Sequence, residues 1–244
     1  MKRLDRAAFF TIAALISGPA TAVAGQLHVE PVLLELNAPA AAGTLTIRND
    51  EDVDASVQTR VFRWSQVEGK ETLEPTVDVA ASPPTVKLAP GADYLIRVVR
   101  VTKQPIRGEE SYRVIVDRLP VAQKRQAPTI NLLIRQSIPV FFRARQFTLP
   151  NVSWSLTQES DKLSVVARND GDERLRIASL RLRDATGKTI SFGNGLVGYV
   201  LGQSSMSWMA PNHALGFGSG GSVSIAAESD KGSINVVVPA PLRR

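Results

Sequence analysis

Short segments in which apolar side chains occupy every second position recur along most of this chain. In a β-strand successive side chains point to opposite faces, so this period of two predicts strands with one buried face. Proline, glycine, asparagine and aspartate bound the segments, and helix signals are nearly absent after residue 25. The pattern predicts an all-β sandwich fold. The segments are 44–48, 56–64, 94–101, 111–119, 163–168, 175–183, 222–227 and 233–238.

A weak internal repeat divides the chain in two. Residues 45–50 (Leu-Thr-Ile-Arg-Asn-Asp) are echoed by residues 165–170 (Val-Val-Ala-Arg-Asn-Asp), and each ends a strand with Arg-Asn-Asp before a polar turn. Asparagine and aspartate suit that place because their side chains bond to local backbone groups. A second echo pairs residues 88–91 with 200–202. Because a sandwich domain takes about 100 residues, we expect two β domains, 25–147 and 148–244.

The first 24 residues have the pattern of a secretory signal peptide. Lys2, Arg3 and Arg6 precede an uncharged apolar run, and Ala22-Val23-Ala24 supplies a cleavage pattern of small residues. The run is shorter than the ~20 residues that a membrane-spanning helix needs. We therefore expect an exported protein, which in a bacterium means the periplasm or the exterior, and the periplasm is our prediction. The chain has no cysteine, so disulfides cannot stabilise it.

The residues that enzymes and nucleic-acid-binding proteins require are scarce. The two histidines, His28 and His213, lie far apart, and no P-loop, nucleophile elbow or dinucleotide fingerprint occurs. The formal net charge is +6 and no block of five like charges exists. A basic group at 174–183 alternates with leucines and is typical of a solvated strand face. We expect no catalytic residues, metal, cofactor, nucleic acid or small-molecule substrate.

The stretch 130–143 is long for a strand, whose usual length is ~5–6 residues. Its apolar side chains at alternate positions, with one polar interruption, suit a strand that is lent to a partner: the main chain pairs with the partner's edge and alternate side chains fill its pockets. The same alternation also fits an ordinary core strand of a β-sandwich. The residues on this face are Ile130, Leu132, Ile134, Gln136 and Ile138.

Four segments in this order resemble the periplasmic pilus chaperones of the PapD-like family. They are 88–92 (Leu-Ala-Pro-Gly-Ala), 96–97 (Ile-Arg), 112–120 (Tyr-Arg-Val-Ile-Val-Asp-Arg-Leu-Pro) and 138–143 (Ile-Pro-Val-Phe-Phe-Arg). The resemblance implies two immunoglobulin-like β-sandwich domains in a boomerang arrangement. It also implies a chaperone that binds pilus subunits by donor-strand complementation and delivers them to an outer-membrane usher.

A different class of protein, a static two-domain β-sandwich binding module of the cell envelope, would share this fold. Glycan-binding modules usually expose aromatic platforms, whereas this chain has three tryptophans and three tyrosines. Trp154 and Trp208 sit inside apolar alternation, so we expect them in the core.

The resemblance also implies roles for individual residues. Ile130, Leu132 and Ile134 match the pocket-filling positions of the family's donor strand, and Gln136 and Ile138 continue that face. Arg143 matches an arginine that pairs with an acid of the second domain in the family. Asp230 lies where that acid is expected.

The chain departs from the common family pattern where the subunit's terminal carboxylate is anchored. Leu33 and Pro139 occupy the two positions that usually carry an arginine and a lysine. The departure resembles the archaic branch of the family, which serves spore coat U-type subunits. Arg113 is our first candidate for the anchor, followed by Arg118 and Arg135. Arg113 would fit a position on the solvent face equally well.

Overall fold

The computed structural model describes residues 27–120, 134–159, 162–210, 217 and 221–240, and the predicted signal peptide lies outside them. These residues form strands and no helix, which confirms the all-β prediction, and hence no helix there could span a membrane. The strands are β1 Leu27–Glu30, β2 Leu34–Asn37, β3 Ala42–Asn49, β4 Ala55–Val67, β5 Lys70–Pro75, β6 Val79–Ser82, β7 Thr85–Leu88, β8 Asp93–Arg100, β9 Glu109–Arg118, β10 Arg135–Arg143, β11 Val152–Glu159, β12 Lys162–Asn169, β13 Leu175–Asp184, β14 Thr189–Ser191, β15 Leu196–Val200, β16 Ser204–Met209, β17 Ser222–Ser229 and β18 Gly232–Pro239.

The first sandwich packs two sheets against each other. One sheet has the strand order β1-β3-β8-β6, and the other has the order β2-β10-β9-β4-β5, with β7 also paired to β4. Alternate side chains of both sheets meet in one apolar core, as the period of two predicts. The largest fully buried members of this core are Tyr112, Phe142, Leu45, Ile47, Leu88 and Ile96.

The second sandwich is built from the strands after residue 150. Its sheets have the orders β11-β12-β16 and β14-β13-β17-β18, with β15 also paired to β13. Its core is separate from the first and contains Trp208, with Trp154 partly buried against it. The two indole ring centres lie 6.4 Å apart in a stacked arrangement. Trp208 is in the core as predicted, whereas Trp154 packs against the core and is only partly buried. The domain boundary at residue 147 stays a prediction, and it falls between the two cores.

The Arg-Asn-Asp repeat has a structural basis in a buried asparagine. Asn49 is fully buried at the end of β3. Its side-chain amide donates to the carbonyls of Val53 (2.8 Å), Leu88 (3.2 Å) and Ala89 (3.1 Å), and its oxygen accepts from the backbone N–H of Glu51 (3.1 Å). One side chain therefore holds the turn after β3 against the segment after β7.

Asn169 has the same role at the end of β12. Its amide donates to the carbonyls of Glu173 (2.7 Å) and Val200 (3.4 Å), and its oxygen accepts from the N–H groups of Asn151 and Gly171 (3.0 Å each). In each sandwich the asparagine thus bonds to the segment that forms the second echo. In each domain the segment of the first echo therefore contacts the segment of the second echo through this asparagine.

β4 extends beyond the first sandwich. It pairs with β9 only as far as Arg63, and its remaining residues pair with β5. A two-residue turn at Glu68 and Gly69, both with positive φ (52° and 75°), joins the strands, and such turns match the twist of a hairpin. We call residues 64–73 the arm. The sequence predicted this strand over 56–64, so the arm was not foreseen.

Candidate functional site

One face of β10 belongs to the core of the first sandwich. Ile138, Val140 and Phe142 are buried there, and Ile138 is only 5% exposed. The prediction that Ile138 continues the partner-binding face is therefore wrong, because a side chain packed into its own domain cannot also fill a partner's pocket. Gln136 points the same way, half-buried, and its amide donates to the carbonyl of Leu27.

The edge of β10 is open over its first half. β2 pairs with β10 only at Val140–Arg143, so residues 135–139 have no strand partner on that side among the described residues. Ile134, immediately before β10, is 39% exposed. Ile130 and Leu132 lie outside the described residues. An unpaired strand edge is the feature that strand addition uses.

The opposite face of the same sheet meets the second sandwich. Trp64 and Phe141 form an aromatic cluster with Tyr199 and Leu201 of the second sandwich. The Trp64 ring lies 5.7 Å from Phe141 and 5.5 Å from Tyr199, the latter edge-to-face. Aromatic pairs with this geometry contribute about 0.5–1.5 kcal/mol beyond burial. The cluster ties the first sandwich to the second beside the open edge.

Arg113 lies next to this aromatic cluster. Its guanidinium carbon stacks 3.7 Å from the centre of the Trp64 ring, and one nitrogen is 3.7 Å from Glu71. The side chain is 14% exposed, so it is not on a solvated face. Burial lowers the pKa of Arg113, with Glu71 acting in the opposite direction. A largely desolvated guanidinium whose ion pair among the described residues is long can bind a carboxylate from a partner by donating two hydrogen bonds.

The two positions at which the resemblance implies an anchor, Leu33 and Pro139, lie close to Arg113. Pro139 is the β10 residue paired with Arg113 across the ladder. Leu33 precedes β2 and packs against the aromatic cluster. Arg113 on β9, Pro139 on β10 and Leu33 just before β2 thus lie near one another on one side of the sheet.

The other two candidates for the anchor lie further from the aromatic cluster, Arg118 at the end of β9 and Arg135 at the start of β10, paired with Asp117. Arg118 is five residues from Arg113, or about 16 Å along a strand, and it forms an ion pair with the buried carboxylate of Glu51. Arg135 binds Asp117 at 2.6 Å, and this contact holds the pKa of Asp117 below its usual value. Both arginines therefore have partners within the first sandwich and are remote from the aromatic cluster.

A group of buried charges links the two sandwiches, which we call the hinge cluster. Arg143 contacts Glu173 at 2.8 Å and Glu109 at 3.2 Å, and Arg174 contacts Glu109 at 2.5 Å. The side chains of Glu109, Glu173 and Arg174 are at most 3% exposed. Burial raises the pKa of Glu109, while the two arginines oppose that shift.

The hinge cluster corrects the predicted partner of Arg143. Glu173, rather than Asp230, supplies the acid from the second sandwich. The amide of Asn169 holds the backbone carbonyl of Glu173, and the Glu173 side chain reaches Arg143 of the first sandwich. Asp230 lies in the turn between β17 and β18. It accepts a hydrogen bond at 3.0 Å from the backbone N–H of Arg176 on β13.

Three further side chains extend the hinge cluster. Lys231 contacts Glu173 at 2.9 Å, Glu35 contacts Arg174, and the Arg174 guanidinium stacks 3.5 Å from the ring centre of Phe141. The expectation that Arg174 lies on a solvated face is therefore wrong. Sequence reasoning missed Glu109, Glu173 and Arg174. The available signal was position: Glu173 and Arg174 lie three and four residues after the last residue of the second Arg-Asn-Asp repeat.

Comparisons with known proteins agree with this architecture. The model of the family described as "Pili and flagellar-assembly chaperone, PapD N-terminal domain" matches residues 26–147, half of the chain. A comparison with curated proteins gives no match.

Several solved structures share the fold. CsuC, in the CsuC–CsuE chaperone–tip adhesion subunit pre-assembly complex from archaic chaperone-usher Csu pili of Acinetobacter baumannii, is 22% identical, with a TM-score of 0.66 over 89% of this chain and 100% of that one. The E. coli chaperone DraB is 20% identical, with a TM-score of 0.57 over 87% and 98%. The complex of Salmonella enterica SafA pilin with the SafB chaperone gives 19% identity and a TM-score of 0.59 over 87% and 96%.

The matched half contains the open edge of β10, Arg113, and Trp64 and Phe141 of the aromatic cluster. The structural neighbours cover both sandwiches. The chain therefore belongs to the family of PapD-like pilus assembly chaperones.

Proposed function

We propose that this protein is a periplasmic chaperone that captures pilus subunits by donor-strand complementation. The observation that carries the proposal is the open edge of β10 at residues 135–139, beside a half-exposed Ile134. A subunit lacking its last strand exposes an apolar groove and an unpaired edge, and a donated strand satisfies both. The donor strand would run from Ile130 through Leu132 and Ile134 to the open edge.

Arg113 is our candidate for the residue that anchors the subunit's terminal carboxylate. Its planar guanidinium can donate two parallel hydrogen bonds to a carboxylate, which fixes the register of the inserted strand as well as adding affinity. The Arg113 guanidinium is largely buried and stacks on the Trp64 ring. A bound carboxylate would have to replace only the long ion pair with Glu71 among the described contacts. A bound carboxylate would therefore meet a cation that water solvates poorly.

The anchor is tested by co-expressing tagged chaperone variants with a spore coat U-type pilus subunit from the same organism, and measuring the co-purified subunit. We expect Arg113→Ala to abolish capture and Arg113→Lys to restore it in part, because lysine lacks the two-pronged geometry. Arg97→Ala, on the exposed face of β8 in the other sheet, is the matched control and should capture subunit normally. Normal capture by Arg113→Ala would place the anchor elsewhere.

The finer assignments belong to the same proposal. We propose that the chain serves the archaic branch of the pathway, since Leu33 and Pro139 stand at the usual anchor positions. We further propose that it acts in the periplasm and passes its subunits to an outer-membrane usher, with domains at 25–147 and 148–244. The family is one of chaperones, not of enzymes. A static binding module would bind its partner without any dependence on Ile134 or Arg113.

A further inference from the structure

The arm is docked on the second sandwich through backbone atoms. The Gln66 side chain donates to the carbonyl of Tyr199 (2.7 Å) and accepts from the N–H of Leu201 (2.9 Å). The Gln66 amide therefore makes the pair of backbone hydrogen bonds that a neighbouring strand would make to residues 199–201. Gln66 is buried, so removing its amide leaves two backbone groups without their partner.

The tip of the arm makes a second contact with the second sandwich. The carbonyl of Gly69 accepts a hydrogen bond from the backbone N–H of Ser207 (3.0 Å). A Cβ atom on Gly69 would lie 2.9 Å from the Cβ of Ser207, and its φ of 75° disfavours other residues. The close approach thus depends on glycine.

Both groups that hold Arg113 belong to the arm. Trp64, under the guanidinium, lies two residues before Gln66 on the same face of β4, and Glu71 is paired with Gln66 across the hairpin. Tyr199 packs edge-on against Trp64 and is the same residue whose carbonyl Gln66 binds. A displacement of the second sandwich would therefore move the two groups that orient Arg113.

We propose that the arm is a positioning element: docking of the second sandwich on Gln66 and Gly69 sets the orientation of Arg113 for a subunit's carboxylate. This inference rests on the proposed function. Trp64, Gln66 and Gly69 are positioning residues that act through Arg113. The second sandwich thereby contributes to an anchor whose charged residue lies in the first.

The first test needs no subunit. In a Trp154→Phe, Trp208→Phe background, Trp64 is the sole tryptophan, and its ring is buried. We expect Gln66→Ala to shift its emission to the red and to increase its quenching by acrylamide. Gly69→Ala is an independent variant with the same expected result. Glu74→Ala, on the exposed part of β5, is the control and should leave the emission unchanged. Unchanged emission in both arm variants would overturn the proposal.

The second test separates positioning from general destabilisation. Each variant competes with tagged parent chaperone for a limiting amount of a spore coat U-type pilus subunit from the same organism. We expect Gln66→Ala to weaken capture about tenfold when Arg113 is present. A misoriented Arg113 would lose one charge-assisted hydrogen bond to the subunit's carboxylate, which has about this effect. The loss should fall below about threefold in the Arg113→Lys background, where the oriented guanidinium is absent.

Each outcome of the competition has one meaning. An equal loss in both backgrounds would show that Gln66 acts only on stability and would overturn the inference. Failure of the parent chaperone to capture the subunit would instead refute the proposed function. A thermal melt of each variant confirms that the compared proteins are folded.

Discussion

At the scale of single residues, two buried asparagines fix the ends of two strands. We expect Asn169→Ala to lower the free energy of unfolding by about 2–4 kcal/mol, because four hydrogen bonds are lost and buried backbone groups are left without partners. Asn49→Ala should have a similar effect in the first sandwich. Urea unfolding followed by circular dichroism measures both losses.

Asn235→Ala, on an exposed position of β18, is the control for both asparagines and should change stability by no more than about 0.5 kcal/mol. If Asn169→Ala behaved like this control, the repeated asparagine would not be the residue that holds the turn.

At the scale of the element, β10 combines two roles along one strand. Ile138→Ala should lower the free energy of unfolding by about 2–5 kcal/mol, because the side chain is buried in the first core. Ile134→Ala should cost no more than about 0.5 kcal/mol, yet with Leu132→Ala it should abolish capture of the subunit. The measurements are urea unfolding and co-purified subunit.

These two isoleucines lie four residues apart on the same side of the strand, so each is the matched control of the other. Normal subunit recovery from the Leu132→Ala, Ile134→Ala double variant would refute the donor-strand assignment, whatever its stability.

The strands themselves could be predicted from alternation, which shows which face of a segment is apolar. It could not show what the polar face meets once a second domain packs on it. The alternation predicts a strand over 56–64, whereas β4 continues to Val67. The partners of Gln66, Tyr199 and Leu201, are distant in sequence. Arg174 follows the pattern of a solvated residue, yet it is buried against Phe141. Both errors concern the interface between the sandwiches.

At the scale of the whole molecule, the hinge cluster joins the two sandwiches through paired charges. Arg143→Ala or Glu173→Ala alone should lower the free energy of unfolding by about 3–5 kcal/mol, because each leaves the other charge buried and less well compensated. The double variant should lose less than the sum of the two. A double-mutant cycle by thermal melting should give a coupling energy above about 1 kcal/mol.

Arg143 and Asp230 provide the comparison. Asp230 bonds to the backbone of its own domain, so its substitution should be additive with Arg143→Ala within about 0.5 kcal/mol. Coupling of Arg143 to Asp230 that exceeded its coupling to Glu173 would show that Asp230, not Glu173, is the partner of Arg143.

The docked arm has a consequence for how freely such proteins can be recombined. Two sandwiches with separate cores could in principle be exchanged between relatives like interchangeable parts. Here the first half carries a hairpin whose Gly69 tip leaves no room for another side chain opposite Ser207. A second half grafted from elsewhere would have to present a small residue at that point and a free carbonyl and N–H opposite Gln66. The two halves are therefore constrained to change together.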